Sequence, residues 1–102
     1  MKTTPLRSRA IRESARGKPC TVRSPVCNGR SETTVWAHSN FSFHGKALGR
    51  KADDIFGCYA CSSCHAWLDE GHASHDEKAI VFFAAFSRSL SILITEGIVN
   101  VK

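Results

Sequence analysis

Five cysteines in 102 residues are the first chemically informative feature of this sequence. Six residues separate Cys20 from Cys27, and Cys61 and Cys64 form a C-x-x-C pair. Such a turn places two thiolates on one side of a metal ion, and a second pair from a distant loop completes a tetrahedral site. We therefore predict that these four cysteines bind a structural zinc ion, which would stabilise a domain with a small core.

The fifth cysteine, Cys58, lies in a predicted strand, so we expect a buried side chain there. Cys58 or His65 could still replace one thiolate in the ligand set. Residues 1–18 are polar and basic, without the apolar core of a secretion signal, which predicts a cytoplasmic protein. Thiols stay reduced there, which favours metal binding over disulfides. A redox C-x-x-C is the weaker alternative, because no βαβ pattern surrounds it.

Two histidines occupy positions suited to hydrolysis. His38 ends a predicted strand, and His65 directly follows Cys64 at the start of a predicted helix. If zinc draws Cys27 and Cys64 together, both imidazoles could face one cleft. One would act as general base on a water molecule, and the other would hold a divalent ion, Mg²⁺ or Mn²⁺, on a scissile phosphate. A structural role for each histidine is the alternative.

Acidic residues could complete such an ion site. Asp53 and Asp54 precede the second predicted strand, and hard cations prefer oxygen ligands, so we select Asp54 as a candidate catalytic and metal-binding residue. A solvated loop acid is the alternative. Asp69 lies four residues after His65 on one helix face and could orient it, or could simply be a surface acid.

Charge is distributed unevenly along the chain, whose net charge is +5. Residues 1–51 contain eleven Lys and Arg against two acids, whereas the remainder contains three against seven. A basic first half suits a polyanionic partner, because Lys and Arg displace counterions from phosphates. A basic surface without a partner is the alternative. The residues predicted to contact the DNA backbone are Arg9, Arg12, Arg16, Lys46, Arg50 and Lys51.

Length and composition predict one small globular domain and exclude an enzyme with separate substrate and cofactor modules. We expect a flexible tail over residues 1–7 and a single domain over 8–102. The remaining signals predict helices at 8–16 and 62–70, strands at 33–38 and 55–60, a loop at 39–52, a helix at 74–96 and an edge strand at 98–101.

The last predicted helix has the clearest local signals. Ser74 and Glu77 fit a capping box, and Gly97 fits a helix stop. Polar residues interrupt its apolar stretch, so we predict that it does not span a membrane. Apolar residues at helical spacing predict its buried face. That predicted face comprises Ile80, Phe83, Phe86 or Ser87, Leu90 and Ile94, flanked by Phe82 and Leu93.

These motifs together resemble a known family. Ala37-His38, Lys51-x-x-Asp54 and the segment Ala60-Cys61-x-x-Cys64-His65 with Asp69 are similar to the HNH, or ββα-metal, endonucleases, and most of all to small phage and prophage nucleases of the YbcO-like type. The likeness extends over residues 9–71. It implies His38 as general base and His65 as a ligand of the catalytic ion. Two positions depart from the family pattern. Many HNH enzymes have an acid, as a metal ligand, where this chain has Ala37. Their central Asn would fall near Phe56 or Gly57, and neither of these residues can replace it.

The expected architecture is therefore an α+β fold, a zinc-stapled ββα-metal domain with a long C-terminal helix. The expected function is a metal-dependent endonuclease that hydrolyses DNA. A non-catalytic zinc module that binds nucleic acid is the main alternative, since it needs the same staple and charge but not His38. A protein-interaction adaptor is a second alternative, and it predicts no salt-dependent affinity for DNA.

Overall fold

A computed structural model describes residues 6–44, 46–47 and 50–101 of the chain. Two single-turn 3-10 helices, Ser31–Thr33 and Ser42–His44, lie in the connections between the main elements. The main elements, in chain order, are α1 (Arg9–Glu13), β1 (Val35–His38), β2 (Gly57–Ala60), α2 (Ser62–Glu70) and α3 (His75–Thr95). The small α+β fold with a long final helix is confirmed.

β1 and β2 form a two-stranded antiparallel sheet in which Val35 pairs with Ala60 and His38 pairs with Gly57. Every residue of β2 is buried. A Cβ atom at Gly57 would lie 2.5 Å from the indole nitrogen of Trp36, so the strands can approach this closely only with glycine there. The register places His38 at the end of the sheet, and α2 begins directly after β2.

The local signals at the start of α3 are confirmed, because Ser74 Oγ accepts a hydrogen bond from the Glu77 N–H at 3.1 Å. The predicted buried face is wrong at both ends of its central stripe, since Ile80 is 72% exposed and Ile94 is 41% exposed. The flanking residues Phe82 and Leu93 are buried, together with Ala85 and Ser89.

The physical reason for this shift lies in Ser89. Its hydroxyl accepts a hydrogen bond from the backbone N–H of Tyr59 in β2 at 3.0 Å and lies 3.0 Å from the hydroxyl of Thr21. Both groups are buried, so the serine satisfies polar atoms that an aliphatic side chain would leave unpaired. Small residues at Ala85 and Ser89 also let the helix approach the sheet closely.

By length and composition α3 could cross a membrane. Arg88 lies within it, however, and donates a hydrogen bond to the carbonyl of Thr21 at 2.8 Å. Phe82 and Ala85 belong to the same buried cluster as Ala60 of β2. These contacts make α3 the core helix of this domain.

The predicted edge strand at 98–101 is wrong. Gly97 has φ +75°, a left-handed conformation that reverses the chain after the helix. The N–H groups of Ile98 and Val99 then donate to the carbonyl of Leu93 at 2.9 and 3.2 Å. Ile98 and Val99 pack on the core cluster around Leu93, so they cover that core instead of adding to the sheet.

The N-terminal region is held more tightly than predicted. The expected tail extends to residue 7, and residues 1–5 lie outside the described part of the chain. Leu6 donates to Asp53 Oδ1 at 3.1 Å, and Arg7 donates to the carbonyl of Ala52 at 2.8 Å. The predicted helix over 8–16 is shorter, since α1 ends at Glu13 and turns follow it. The segment before α1 is therefore fixed against residues 51–54.

Candidate functional site

The four predicted cysteines form one cluster. The sulfur atoms of Cys20, Cys27, Cys61 and Cys64 all lie within 4.8 Å of one another, and those of Cys27 and Cys61 are 3.9 Å apart. Tetrahedral zinc with Zn–S bonds of about 2.3 Å requires sulfurs roughly 3.8 Å apart, so the cluster fits such an ion. The four cysteines could therefore hold a metal ion such as zinc.

Backbone N–H groups donate hydrogen bonds to two of these sulfurs and favour their thiolate form, which is the form that binds a metal ion. Burial alone would raise the pKa of Cys61, but hydrogen bonds from the backbone N–H groups of Asn28 and Cys64 lower it to about 7. Gly29, which has φ +68°, gives a similar backbone hydrogen bond to Cys27, but burial and the neighbouring Cys20 thiol outweigh it and raise the pKa of Cys27. This left-handed turn favours glycine. Burial raises the pKa of Cys64 to about 12, so metal binding there must displace a proton.

Cys58 is fully buried in β2, as expected, and burial raises the pKa of its thiol. It is not part of the group of four that could hold a metal ion within the described chain. Its strand position turns it into the core, where it packs with Ala37 and Cys61.

Both predicted histidines line one cleft of about 380 Å³. This cleft, which we call the cationic cleft, lies where the end of β1 meets the start of α2. His38 is largely buried, with 15% of its side chain exposed, whereas His65 is 42% exposed. The residues lining the cationic cleft are Arg12, Trp36, His38, Ser39, Asn40, Lys46, Lys51, His65 and Asp69.

Asp54 lies beneath His38, whose Nε2 is 2.7 Å from Asp54 Oδ1. The carboxylate is fully buried. Its other oxygen accepts hydrogen bonds from the backbone N–H of Ser8, at 2.5 Å, and from the guanidinium of Arg12. The carbonyl of Asp54 accepts from the Trp36 indole at 2.8 Å, which fixes the backbone as well.

Burial alone would raise the pKa of Asp54, but the hydrogen bonds from His38, Ser8 and Arg12 outweigh it and lower the pKa below its ordinary value of 3.8. Asp54 is therefore ionised at neutral pH. Both carboxylate oxygens already accept hydrogen bonds from the protein, so this aspartate is arranged to hold His38 and Arg12 in place.

A second polar chain links α2 to the loop after β1. His65 Nε2 lies 3.3 Å from Asp69 Oδ2, one helical turn away. The other oxygen of Asp69 accepts a hydrogen bond from the amide of Asn40 at 2.9 Å. An imidazole and a carboxylate thus lie together at the rim of the cationic cleft, where solvent reaches both.

The predicted phosphate-binding residues separate into two groups. Arg12, Lys46 and Lys51 line the cationic cleft. Arg9 forms an ion pair with Glu13, with the charged atoms 3.0 Å apart on the surface. Arg50 lies 3.9 Å from Asp53. Arg9, Arg16 and Arg50 are not among the described residues that line this cleft.

Three residues that line the cationic cleft were not predicted as site residues, namely Trp36, Ser39 and Asn40. Arg7, which we expected in a tail, lines a neighbouring pocket of about 310 Å³ that shares Arg12, His38 and Lys51 with the cleft. No local signal marks it, because its position depends on contacts with residues 51–54. Asn40 could have been found, since residues two apart in extended chain share a face and Asn40 follows His38 at that spacing.

His44 belongs to the core rather than to the cleft. Its ring stacks on Phe56 with centroids 4.2 Å apart, and its Nδ1 lies 2.6 Å from the hydroxyl of Ser39. Burial lowers the pKa of His44. These contacts support the loop that carries Asn40.

Comparison with known proteins agrees with this geometry. The family model "Putative nuclease YbcO" matches residues 9–97, which include all four cysteines and the cationic cleft. The chain belongs to the YbcO family.

Relatives within the YbcO family come from a bacterium and a phage. The chain is 44% identical over 61 residues to "Putative nuclease YbcO" of Escherichia coli strain K12 and equally to "Putative nuclease ybcO" of Enterobacteria phage 82. The aligned segment covers 58% of this chain and 62% of each relative.

A solved structure shares the fold. It is described as "Structure of a putative bacteriophage protein from Escherichia coli str. K-12 substr. MG1655" and is 31% identical in sequence, with a TM-score of 0.68. The match covers 86% of this chain and all of that one.

Proposed function

We propose that this protein is an HNH-type, metal-dependent endonuclease that hydrolyses phosphodiester bonds in DNA. The observation that carries the proposal is the pairing of His38 with the buried, ionised Asp54 on the wall of the cationic cleft. The family's nuclease description agrees with it.

His38 is the general base in this proposal. A neutral imidazole has one N–H and one acceptor nitrogen. With Nε2–H donating to Asp54, Nδ1 remains available to accept a proton from an attacking water molecule. Asp54 then stabilises the imidazolium that forms. We therefore assign Asp54 a positioning role, which its occupied oxygens favour over the ion-ligand role expected from sequence.

His65 is the proposed protein ligand of a divalent ion, Mg²⁺ or Mn²⁺. Its imidazole and the neighbouring carboxylate of Asp69 supply the nitrogen and oxygen donors that suit a first-row divalent cation, and both are open to solvent. Such an ion supplies charge stabilisation to the phosphate and the leaving oxygen. Asn40 holds Asp69 in place through its amide.

The cations of the cleft are proposed to bind the DNA backbone. Arg7, Arg12, Lys46 and Lys51 lie around His38 and can contact phosphate oxygens on either side of the scissile bond. Asp54 pairs with Arg12 and so fixes one of these cations before substrate binds.

The cysteine cluster has a structural role in this proposal. A zinc ion on Cys20, Cys27, Cys61 and Cys64 would join the loop before β1 to the start of α2. That connection sets the position of His65 relative to His38, because His65 directly follows one ligand.

The test is cleavage of supercoiled plasmid with Mg²⁺ or Mn²⁺ by wild type, His38→Ala and His72→Ala. His72 is exposed and is the matched control. We expect wild type and His72→Ala to nick the plasmid alike, and His38→Ala to be about 10²–10⁴-fold slower.

Equal rates for His38→Ala and wild type would contradict the mechanism. If no variant cleaves while DNA binding persists, the alternative of a non-catalytic zinc module that binds nucleic acid replaces the proposal.

A further inference from the structure

A second cavity opens beside the cationic cleft. It has a volume of about 300 Å³ and a mostly apolar lining. We call it the apolar pocket. Its lining comprises His38, Asn40, Phe41, Leu68, Asp69, His75, Lys78 and Phe82. His38, Asn40 and Asp69 also line the cationic cleft, so the two spaces share one wall.

The aromatic wall of the apolar pocket is preformed. The ring of Phe41 stacks against Phe43 and Phe83, with centroids 5.2 and 5.3 Å away, so neighbours hold its orientation. His75 meets the edge of Phe41 at 5.4 Å, and Phe82 packs against it at 6.0 Å. The stacking faces of Phe41 are thus taken by Phe43 and Phe83, so the ring gives the pocket a fixed apolar wall against which a flat ligand can pack.

The size and the rim of the pocket narrow the choice of ligand. Small-molecule sites measure about 300–1,000 Å³, so this pocket is at the lower limit and suits one small ring system. The rim carries the amide of Asn40, the carboxylate of Asp69 and the ammonium of Lys78. Asp69 already contacts Asn40 and His65 and serves the proposed metal site. The ammonium of Lys78 and the amide oxygen of Asn40 can pair with acceptors and donors at the edge of a nucleobase.

We infer that the apolar pocket binds one unpaired nucleobase of the strand whose phosphates lie in the cationic cleft. The inference rests on the proposed function, because it needs a nucleic acid in that cleft. A base stacked in a duplex cannot enter such a pocket. The substrate class is therefore single-stranded or locally unpaired DNA.

The test compares two eight-nucleotide probes that carry equal charge. One is oligo(dC), and the other has the same backbone with abasic sugars throughout. Binding is measured without added Mg²⁺ or Mn²⁺ by fluorescence anisotropy, with the label on a linker at the 5′ end. Burial of the apolar faces of one base, at about 25 cal/mol per Å², typically changes affinity by about tenfold or more. We expect wild type to bind oligo(dC) at least tenfold more tightly than the abasic probe.

Two variants locate the effect. His75→Ala removes an exposed part of the pocket wall and should reduce the affinity ratio of the two probes at least threefold, whereas His72→Ala should leave the ratio unchanged. Equal affinities of wild type for both probes, or an unchanged ratio in His75→Ala, would overturn the inference and leave the proposed function standing. If neither probe binds, the inference is overturned as well, and plasmid cleavage by wild type decides separately whether the proposed function stands.

Discussion

Replacing Asp54 by asparagine tests the structural basis of the site directly. The substitution keeps the shape of the side chain but removes its charge. The carboxylate accepts hydrogen bonds from His38, Arg12 and the backbone N–H of Ser8. The oxygen of asparagine can accept some of these hydrogen bonds. Its NH₂ group is itself a donor, so it cannot accept the others.

The expected loss of stability is about 3 kcal/mol. Hydrogen bonds to charged groups contribute about 1.5–3 kcal/mol each, and neutral ones about 0.5–1.5 kcal/mol. With the asparagine oxygen in the place of Oδ2, the bonds from Ser8 and Arg12 are weakened by the loss of charge and the bond from His38 is lost. The Arg12 bond counts for less, since 42% of that side chain is exposed and solvent screens it. A domain of this size has a free energy of unfolding of about 5–15 kcal/mol. Tm should therefore fall by roughly 10–20 °C.

The assay is urea denaturation in zinc-saturated buffer, with Asp76→Asn as matched control. The Asp76 side chain is 99% exposed, so its substitution should change stability by less than about 0.5 kcal/mol. The pKa of Asp54 is lowered in the folded state, so its contribution is complete above the ordinary value of 3.8 and is lost as the pH falls through the folded value.

The stability difference between wild type and Asp54→Asn should consequently not shrink between pH 8 and pH 5. A difference no larger than that of Asp76→Asn would refute the role of Asp54. A difference that fades between pH 7 and pH 5 would refute the lowered pKa.

Three further predictions concern the zinc cluster, the sheet and the cationic cleft. Metal analysis should find about one zinc per chain in wild type and in Cys58→Ser, because Cys58 lies outside the cluster, but none in Cys61→Ser. Loss of zinc in Cys58→Ser would contradict this ligand set. Gly57→Ala should destabilise the protein by about 2 kcal/mol or more in thermal unfolding, because the added Cβ would lie 2.8 Å from the carbonyl oxygen of Ala37 on the opposite strand. An unchanged stability would contradict that contact. Lys51→Ala should reduce the magnitude of the slope of log K against log salt concentration by about 0.9, where K is the association constant for duplex DNA. Arg30→Ala, which lies outside the cleft, should leave this slope unchanged. Equal slopes for Lys51→Ala and wild type would exclude Lys51 from the DNA interface.

Local signals predicted the elements that have strong local causes. The span of α2 is as predicted, and α3 begins one residue after the predicted start, at the cap made by Ser74. The cysteine cluster was also predictable, because a C-x-x-C turn fixes two sulfurs before any tertiary contact forms. These features depend on residues close together in the chain.

The features that were missed depend on contacts distant in sequence. Asp54 was selected from the sequence as an ion ligand, but its pairing with His38 and Arg12 could not be foreseen, because Ser8 and Arg12 reach it only from the N-terminal segment. The buried face of α3 is likewise set by Ser89 and its partners on β2 and the N-terminal loop. Hydrophobic periodicity favours Ile80 and Ile94, because it cannot weigh a buried hydrogen bond against a buried methyl group.

The charge balance of the cleft explains how a phosphate could enter beside two carboxylates. Arg7, Arg12, Lys46 and Lys51 give four positive charges around His38, against two negative charges from Asp54 and the neighbouring Asp69. Asp54 faces its protein donors and is fully buried, so its charge is largely neutralised before a ligand arrives. An approaching phosphate therefore meets a net positive surface, while the buried carboxylate stays paired with His38, Arg12 and the Ser8 N–H. In the proposed mechanism Asp54 can therefore orient the general base His38 without repelling the substrate. It can do so because its carboxylate is buried beneath the cleft and is not exposed within it.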